Sequence, residues 1–219
     1  MDLRNRLQWN RRISSLLTQR LLKTGITPNA ITLWGLTYGI IAGGFFAQGT
    51  HLWFVMGALS FHIAFLLDNC DGELARIKGT SSSFGMWLDM ICDVLVDISL
   101  WVGLAIGAST KSTGGSQWLG IILIAAISGS LLNFGISIWE RRKQCSSSIH
   151  MENQTRSERK GSVFFSILDT LCHNGDSAWL VWIFAAIGSH FLFLVCGAVY
   201  IHSLWLIRFA VNRKYLLHG

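Results

Sequence analysis

Apolar residues run along this chain in long blocks, and polar residues gather in short stretches between them. A helix needs about 20 apolar residues to cross a bilayer. The first such block lies near 30–47. "QGTHL" turns the chain, and a second block runs near 51–75. "IKGTSSS" is a short polar loop before a third block at about 84–108. "STKSTGGSQ" turns again, and a fourth block covers about 117–139. The 22 residues 140–161, "ERRKQCSSSIHMENQTRSERKG", form the longest polar segment and read as a loop. Residues 162–211 hold few charges and are long enough for two more spans, with the turn expected at "GSH", 188–190. The pattern predicts an all-α integral membrane protein with six transmembrane helices.

The start of the chain is different. In 1–23, Leu3, Leu7, Ile13, Leu16, Leu17, Leu21 and Leu22 recur at helical spacing with arginines between them. This is the pattern of an amphipathic helix lying in the membrane interface. "TPN" at Thr27–Asn29 ends it. The expected organisation is a single membrane domain over 1–219, with an interfacial helix at 1–23 and a six-helix core at 24–219. No secretory leader is legible, because the first thirty residues are basic and mixed.

Composition agrees with this picture. Hydrophobic residues make up 51% of the chain and charged ones 14%, against roughly a quarter charged in soluble domains. Mean hydropathy is +0.44. Charge placement adds orientation. With six spans, 17 of the 18 Lys and Arg fall on one side, leaving only Lys111 on the other. The positive-inside rule then puts both termini in the cytoplasm. The net charge of +6 points to a membrane surface or anionic substrates, and no nucleic-acid motif is present. Five cysteines with no C-x-x-C pair read as small apolar helix residues. Gly35, Gly39 and Gly43 recur every four residues, as do Gly103 and Gly107. Such spacing lets helix backbones approach closely, and leaves room for a homodimer.

Against this background six of the twelve acidic residues crowd into 66–97: Asp68, Asp71, Glu73, Asp89, Asp93 and Asp97. An ionised residue in a span is expensive unless it faces a polar cavity or a partner. Asp68 and Asp71 share one helix face, as do Asp89, Asp93 and Asp97. Folding the second and third spans into an antiparallel hairpin about Thr80–Ser81 sets Asp68 level with Asp93, Gly72 with Asp89, and Arg76 with Gly85. Asp68 and Asp93 then lie roughly 13 Å in from the loop. Four aspartates at one depth need positive charge. Arg76 supplies one charge, and the rest asks for metal. All-oxygen ligands favour Mg²⁺ or Mn²⁺, and a two-metal aspartate cluster suits phosphate and pyrophosphate chemistry. Gly72, Ala75 and Gly85 leave room for a polyanion against the backbone. Asp97, the deepest, reads as a supporting or packing residue, and Glu73 points off the ligand face. A structural ion-pair network or a cation pathway remains the competing reading of the same residues.

The spacing Asp68-x₂-Asp71-Gly72-x₂-Ala75-Arg76-x₈-Gly85-x₃-Asp89-x₃-Asp93 resembles the signature of the CDP-alcohol phosphotransferase (CDP-alcohol phosphatidyltransferase) family in all eight positions. "TPNAIT" at the start of the first span is also similar. The resemblance implies an enzyme that cleaves the pyrophosphate of a CDP-linked alcohol, passes the phospho-alcohol unit to an acceptor hydroxyl and releases CMP. It implies that Asp68, Asp71 and Asp89 hold two metals. It counts Asp93 with the metal-site residues too, and gives it a second role as general base on the acceptor. Gly72, Ala75, Arg76 and Gly85 would shape the CDP pocket, with Asn29 and Thr32 on the nucleotide side.

The acceptor is less legible. Met90 and Val94 stand where glycerophosphate-using branches often carry Pro and Lys, and "DGELAR" looks more like the inositol-phosphate branch. Arg141, Arg142 and Arg208 flank the expected cytoplasmic mouth, where they would bind an acceptor phosphate or simply anchor the helices. A lipid donor, CDP-diacylglycerol, with a soluble acceptor is the first choice, and a soluble CDP-polyol the second. Alternatives in other classes are a divalent-cation carrier, a catalytically inactive structural paralogue and an aspartate-rich prenyltransferase. The last has longer chains and other aspartate spacing.

Overall fold

A computed structural model describes residues 9–110, 116–147 and 180–217. Seven helices are described: α1 Trp9–Leu21, α2 Pro28–Ala47, α3 His51–Ile77, α4 Ser83–Ser109, α5 Ser116–Ser147, α6 Leu180–Ile187 and α7 His190–Leu217. Five are long and apolar enough to cross a membrane: α2, α3, α4, α5 over Trp118–Trp139, and α7 over His190–Ala210. The protein is an integral membrane protein on this architecture.

Local chemistry sets the boundaries. Thr27 caps α2 by accepting a hydrogen bond from the Ala30 amide, and Pro28 follows at the first helical position, where a missing N–H costs nothing. Ser82 caps α4 in the same way through the Gly85 amide. Gly49 between α2 and α3 has φ +69° and Gly188 between α6 and α7 has φ +71°, a conformation that glycine adopts without strain. The expected turn at 188–190 is therefore present, with α7 starting at His190 itself. The rest of the expected fifth span, 162–179, lies outside the described residues.

Two expectations are corrected. The polar segment at 140–161 does not begin as a loop, because α5 continues through Ser147. Its first residues, Glu-Arg-Arg-Lys-Gln, are good helix formers with no Gly or Pro to stop them. More important, α3 and α4 do not pack on one another as a hairpin. Both pack along α2, which lies against each, while α5 and α7 close the far side of α4 and α6 meets α3.

The glycines of α2 make this possible. A Cβ at Gly39 would collide with the Val96 side chain of α4, and a Cβ at Gly103 would overlap the backbone of Gly43. Here backbone meets backbone, which only small residues permit. The apolar core above this crossing gathers Phe46, Phe54, Leu104 and Leu194, all fully buried. Holding α3 and α4 apart on α2 leaves a space between their facing sides, and the aspartates line it.

Candidate active site

α3 carries Asp68 and Asp71, and α4 carries Asp89 and Asp93. Despite the separation of their helices, Asp68, Asp71 and Asp89 each offer a carboxylate oxygen, and these atoms lie within 4.8 Å of one another. Asp71 is buried, whereas Asp68 and Asp89 are half-buried. Asp93 stands one turn further along α4, within side-chain hydrogen-bonding reach of Asp68. The level pairing of Asp68 with Asp93 thus survives the loss of direct hairpin packing. Arg76 and Gly85 are not brought together in the same way. The Arg76 guanidinium lies beside Gly72, where a Cβ would stand 3.5 Å from it. Gly85 instead faces Asn29, whose Oδ1 would be 3.1 Å from a Cβ there.

Asp71 is fixed from the neighbouring helix. Thr32 of α2, itself buried, donates its hydroxyl proton to an Asp71 carboxylate oxygen at 2.5 Å. Thr32 therefore touches a carboxylate of the cluster, and Asn29 stands over the Cα of Gly85. Ala75 is half-buried on the same turn, and Arg76 is exposed. Three carboxylates so close repel each other strongly unless cations sit among them. The donor set is all oxygen, as Mg²⁺ and Mn²⁺ prefer, so the residues present fit such ions.

The cluster opens into a cavity of about 580 Å³ lined from α2, α3, α4, α5, α6 and α7. Its polar wall includes Thr32, Asp68, Asp71, Asp93 and Asp97. The rest of its lining is largely apolar and includes Phe61, Phe65, Phe184 and Leu204. Such a space can take an amphiphile with its charged part at the aspartates and its apolar part along the aromatic lining. Asp97 lines the inner part and accepts a hydrogen bond from Ser130. The Ser130 hydroxyl in turn accepts the indole N–H of Trp101 at 3.0 Å.

Sequence reasoning missed this Trp101–Ser130 support, and also Asn133. Asn133 lines the cavity from α5 and accepts a hydrogen bond from Arg208 of α7. The only sequence signal for Asn133 was a polar residue at helical spacing from Ser130. Arg208 thus sits at the edge of the cavity lining. The side chains of Arg141 and Arg142 lie outside the described residues. Glu73, expected off the ligand face, accepts hydrogen bonds from Ser14 and Thr18 of α1.

Phosphatidylinositol phosphate synthase of Mycobacteroides abscessus is 27% identical over 124 residues, 56% of this chain and 54% of that one. Archaetidylinositol phosphate synthase of Pyrococcus horikoshii is 35% identical over 92 residues, 42% of this chain and 47% of that one. The chain thus matches about half the length of these relatives. The fold resembles Mycobacterium tuberculosis phosphatidylinositol phosphate synthase solved with CDP-DAG bound, with TM-score 0.53, 22% identity, and coverage of 91% of this chain and 92% of that one. The same synthase solved with manganese and citrate gives TM-score 0.52 at 22% identity, covering 89% and 88%. Residues 25–152, which include α2, α3, α4 and every aspartate of the cluster, match the CDP-alcohol phosphatidyltransferase family. The chain belongs to the CDP-alcohol phosphatidyltransferase family.

Proposed function

We propose that this protein transfers a phosphatidyl unit from CDP-diacylglycerol to the hydroxyl of a soluble phosphorylated polyol and releases CMP. The observation that carries the reading is the convergence of Asp68, Asp71 and Asp89 beside a cavity whose lining is otherwise largely apolar. A water-soluble donor would leave the aromatic lining without a partner, whereas a lipid donor uses both ends. The two inositol-phosphate-linked names among the relatives support a polyol phosphate as acceptor.

Asp68, Asp71 and Asp89 would hold two divalent cations, Mg²⁺ or Mn²⁺. Bound there, the ions neutralise the pyrophosphate and stabilise charge on the leaving phosphate oxygen. The remaining work falls to this chain. Arg76, exposed beside Gly72, pairs with a donor phosphate oxygen. Gly72 and Gly85 leave the backbone open to the nucleotide end, with Asn29 at its edge. Asp93 takes the proton from the acceptor hydroxyl. The acceptor oxygen then forms a bond to the phosphorus that bears diacylglycerol. The bond from that phosphorus to the bridging oxygen breaks, and CMP leaves with the electron pair. Arg208, steadied by Asn133, holds the acceptor phosphate across the cavity. Six spans, an interfacial α1 and a site open to the cytoplasm complete the reading, supported by the one-sided placement of Lys and Arg.

The test is an acceptor panel. Purified protein in lipid nanodiscs is given CDP-diacylglycerol or a soluble CDP-polyol, each with Mn²⁺ or Mg²⁺ and one alcohol at a time. The reading predicts CMP release with CDP-diacylglycerol and a phosphorylated polyol. Release only with the soluble CDP-polyol would contradict the donor, and divalent-ion flux without CMP release would favour a carrier.

A further inference from the structure

The Glu73 contacts have no part in that chemistry, yet they sit in the middle of it. Ser14 and Thr18 of α1 are fully buried. The Ser14 hydroxyl donates to Glu73 Oε1 at 3.3 Å and the Thr18 hydroxyl to Glu73 Oε2 at 3.0 Å. Each oxygen of one carboxylate is thus held by its own hydroxyl. One turn earlier on α3, the Cys70 thiol points at the Ser14 carbonyl oxygen at 3.5 Å. Around these contacts Leu17, Leu21 and Leu22 pack against Ile31, Cys70 and Leu74. Beyond them, Lys78 Nζ donates to the Ile26 carbonyl at 2.8 Å, tying the α1–α2 connection to the end of α3.

These contacts bracket the ligand turn. Asp71 and Gly72 stand between Cys70 and Glu73, which both face α1, while Asp71 itself faces Thr32 of α2. The turn is therefore clamped from two sides. A carboxylate is an expensive way to fasten two helices, since a leucine would pack without desolvating a charge. What a carboxylate adds is register, because only one placement of α1 meets both oxygens. The opposite face of α1 presents Ile13 and Leu16, both exposed, and is free to rest on lipid.

We propose that α1 is a positioning element of the carboxylate site, acting through Glu73 to hold Asp71 and Gly72 in the geometry that binds metal. Docking of α1 on α3 and metal affinity are then linked through one side chain. The inference rests on the reading of the aspartates as a metal site, and its test separates the two.

Cys70 is a built-in reporter, because it is fully buried beneath α1. In full-length protein in nanodiscs, Cys70 alkylation by a maleimide is followed by peptide mass spectrometry, and Mn²⁺ affinity by calorimetry. The variants are Ser14→Ala/Thr18→Ala, which removes both donors, Thr18→Val, which keeps the shape and removes one, and Glu73→Gln, which keeps an acceptor oxygen. The double variant is expected to speed Cys70 alkylation at least about tenfold and to weaken Mn²⁺ binding about 10-fold or more, as loss of supporting groups around metal ligands does. Thr18→Val should shift both in the same direction by less, and serves if the double variant does not fold. Glu73→Gln should retain part of the affinity. Faster alkylation with unchanged Mn²⁺ affinity would reduce α1 to a brace and overturn the proposal. Unchanged alkylation would show that docking does not depend on Glu73, with the same consequence. A wild-type protein that binds no Mn²⁺ would sink the metal-site reading and this inference with it, leaving the docking result standing.

Discussion

Thr32 of α2 donates a hydrogen bond to Asp71 of α3, joining two residues 39 positions apart in the buried heart of the site. The bond explains how a single carboxylate stays buried in a membrane helix. Thr32→Val keeps the shape and removes the donor. A hydrogen bond to a charged group is worth about 1.5–3 kcal/mol. The variant should weaken Mn²⁺ binding about 10-fold or more, read by calorimetry, while the helical circular dichroism stays that of wild type.

Asp93 stands apart from the three-carboxylate group yet within reach of Asp68. Its proposed role is to accept a proton. Asp93→Asn should therefore bind Mn²⁺ and CDP-diacylglycerol and lose turnover by about 10²–10⁴-fold. Single-turnover kinetics beside calorimetry separates the two properties. Normal turnover would remove Asp93 as base, and lost Mn²⁺ binding would make it a ligand instead.

Most of the fold was legible because apolar run length maps directly onto spans. The third block, read as 84–108, is the helix Ser83–Ser109. The aspartates were legible because charge is costly in a span, so its placement is informative. The hairpin was misread for a physical reason. Consecutive helices usually pack together, but the glycine face of α2 offered each a tighter partner, and the resulting gap is the cavity. Glu73 turns off the aspartate face, as its position on the helix implies, and meets Ser14 and Thr18. The signal was there: Ser14 and Thr18 fall at i and i+4 on the apolar face of α1, beside Leu17 and Leu21, where bare hydroxyls need an acceptor.

Packing predictions follow from the same glycines. Gly103→Val drives a branched side chain into the Gly43 backbone. Overpacking of this kind costs about 1–3 kcal/mol or more, so the thermal midpoint in detergent should fall. Gly120 on α5 has open space around its Cα. Gly120→Ala should leave the midpoint unchanged or raise it, since alanine is the better helix former by about 1 kcal/mol.

Arg208 and Asn133 share a hydrogen bond at the cavity edge. If this pair holds the acceptor phosphate, Arg208→Ala should raise the acceptor KM about tenfold or more and leave the CDP-diacylglycerol KM unchanged. Arg208→Lys should recover little, because lysine lacks the planar pair of donors. An equal rise in both KM values would show that Arg208 supports the cavity as a whole rather than the acceptor.

Coupled transfer at the aspartate cluster would show itself in the stoichiometry of the two products. CDP-diacylglycerol and a phosphorylated polyol are given to the nanodisc-embedded protein, with CMP and the new lipid quantified together before and after chelation with EDTA. One CMP is expected for each acceptor-linked lipid, and neither product once the divalent ion is removed. CMP formed without acceptor-linked lipid, or equal amounts of both with EDTA present, would contradict it.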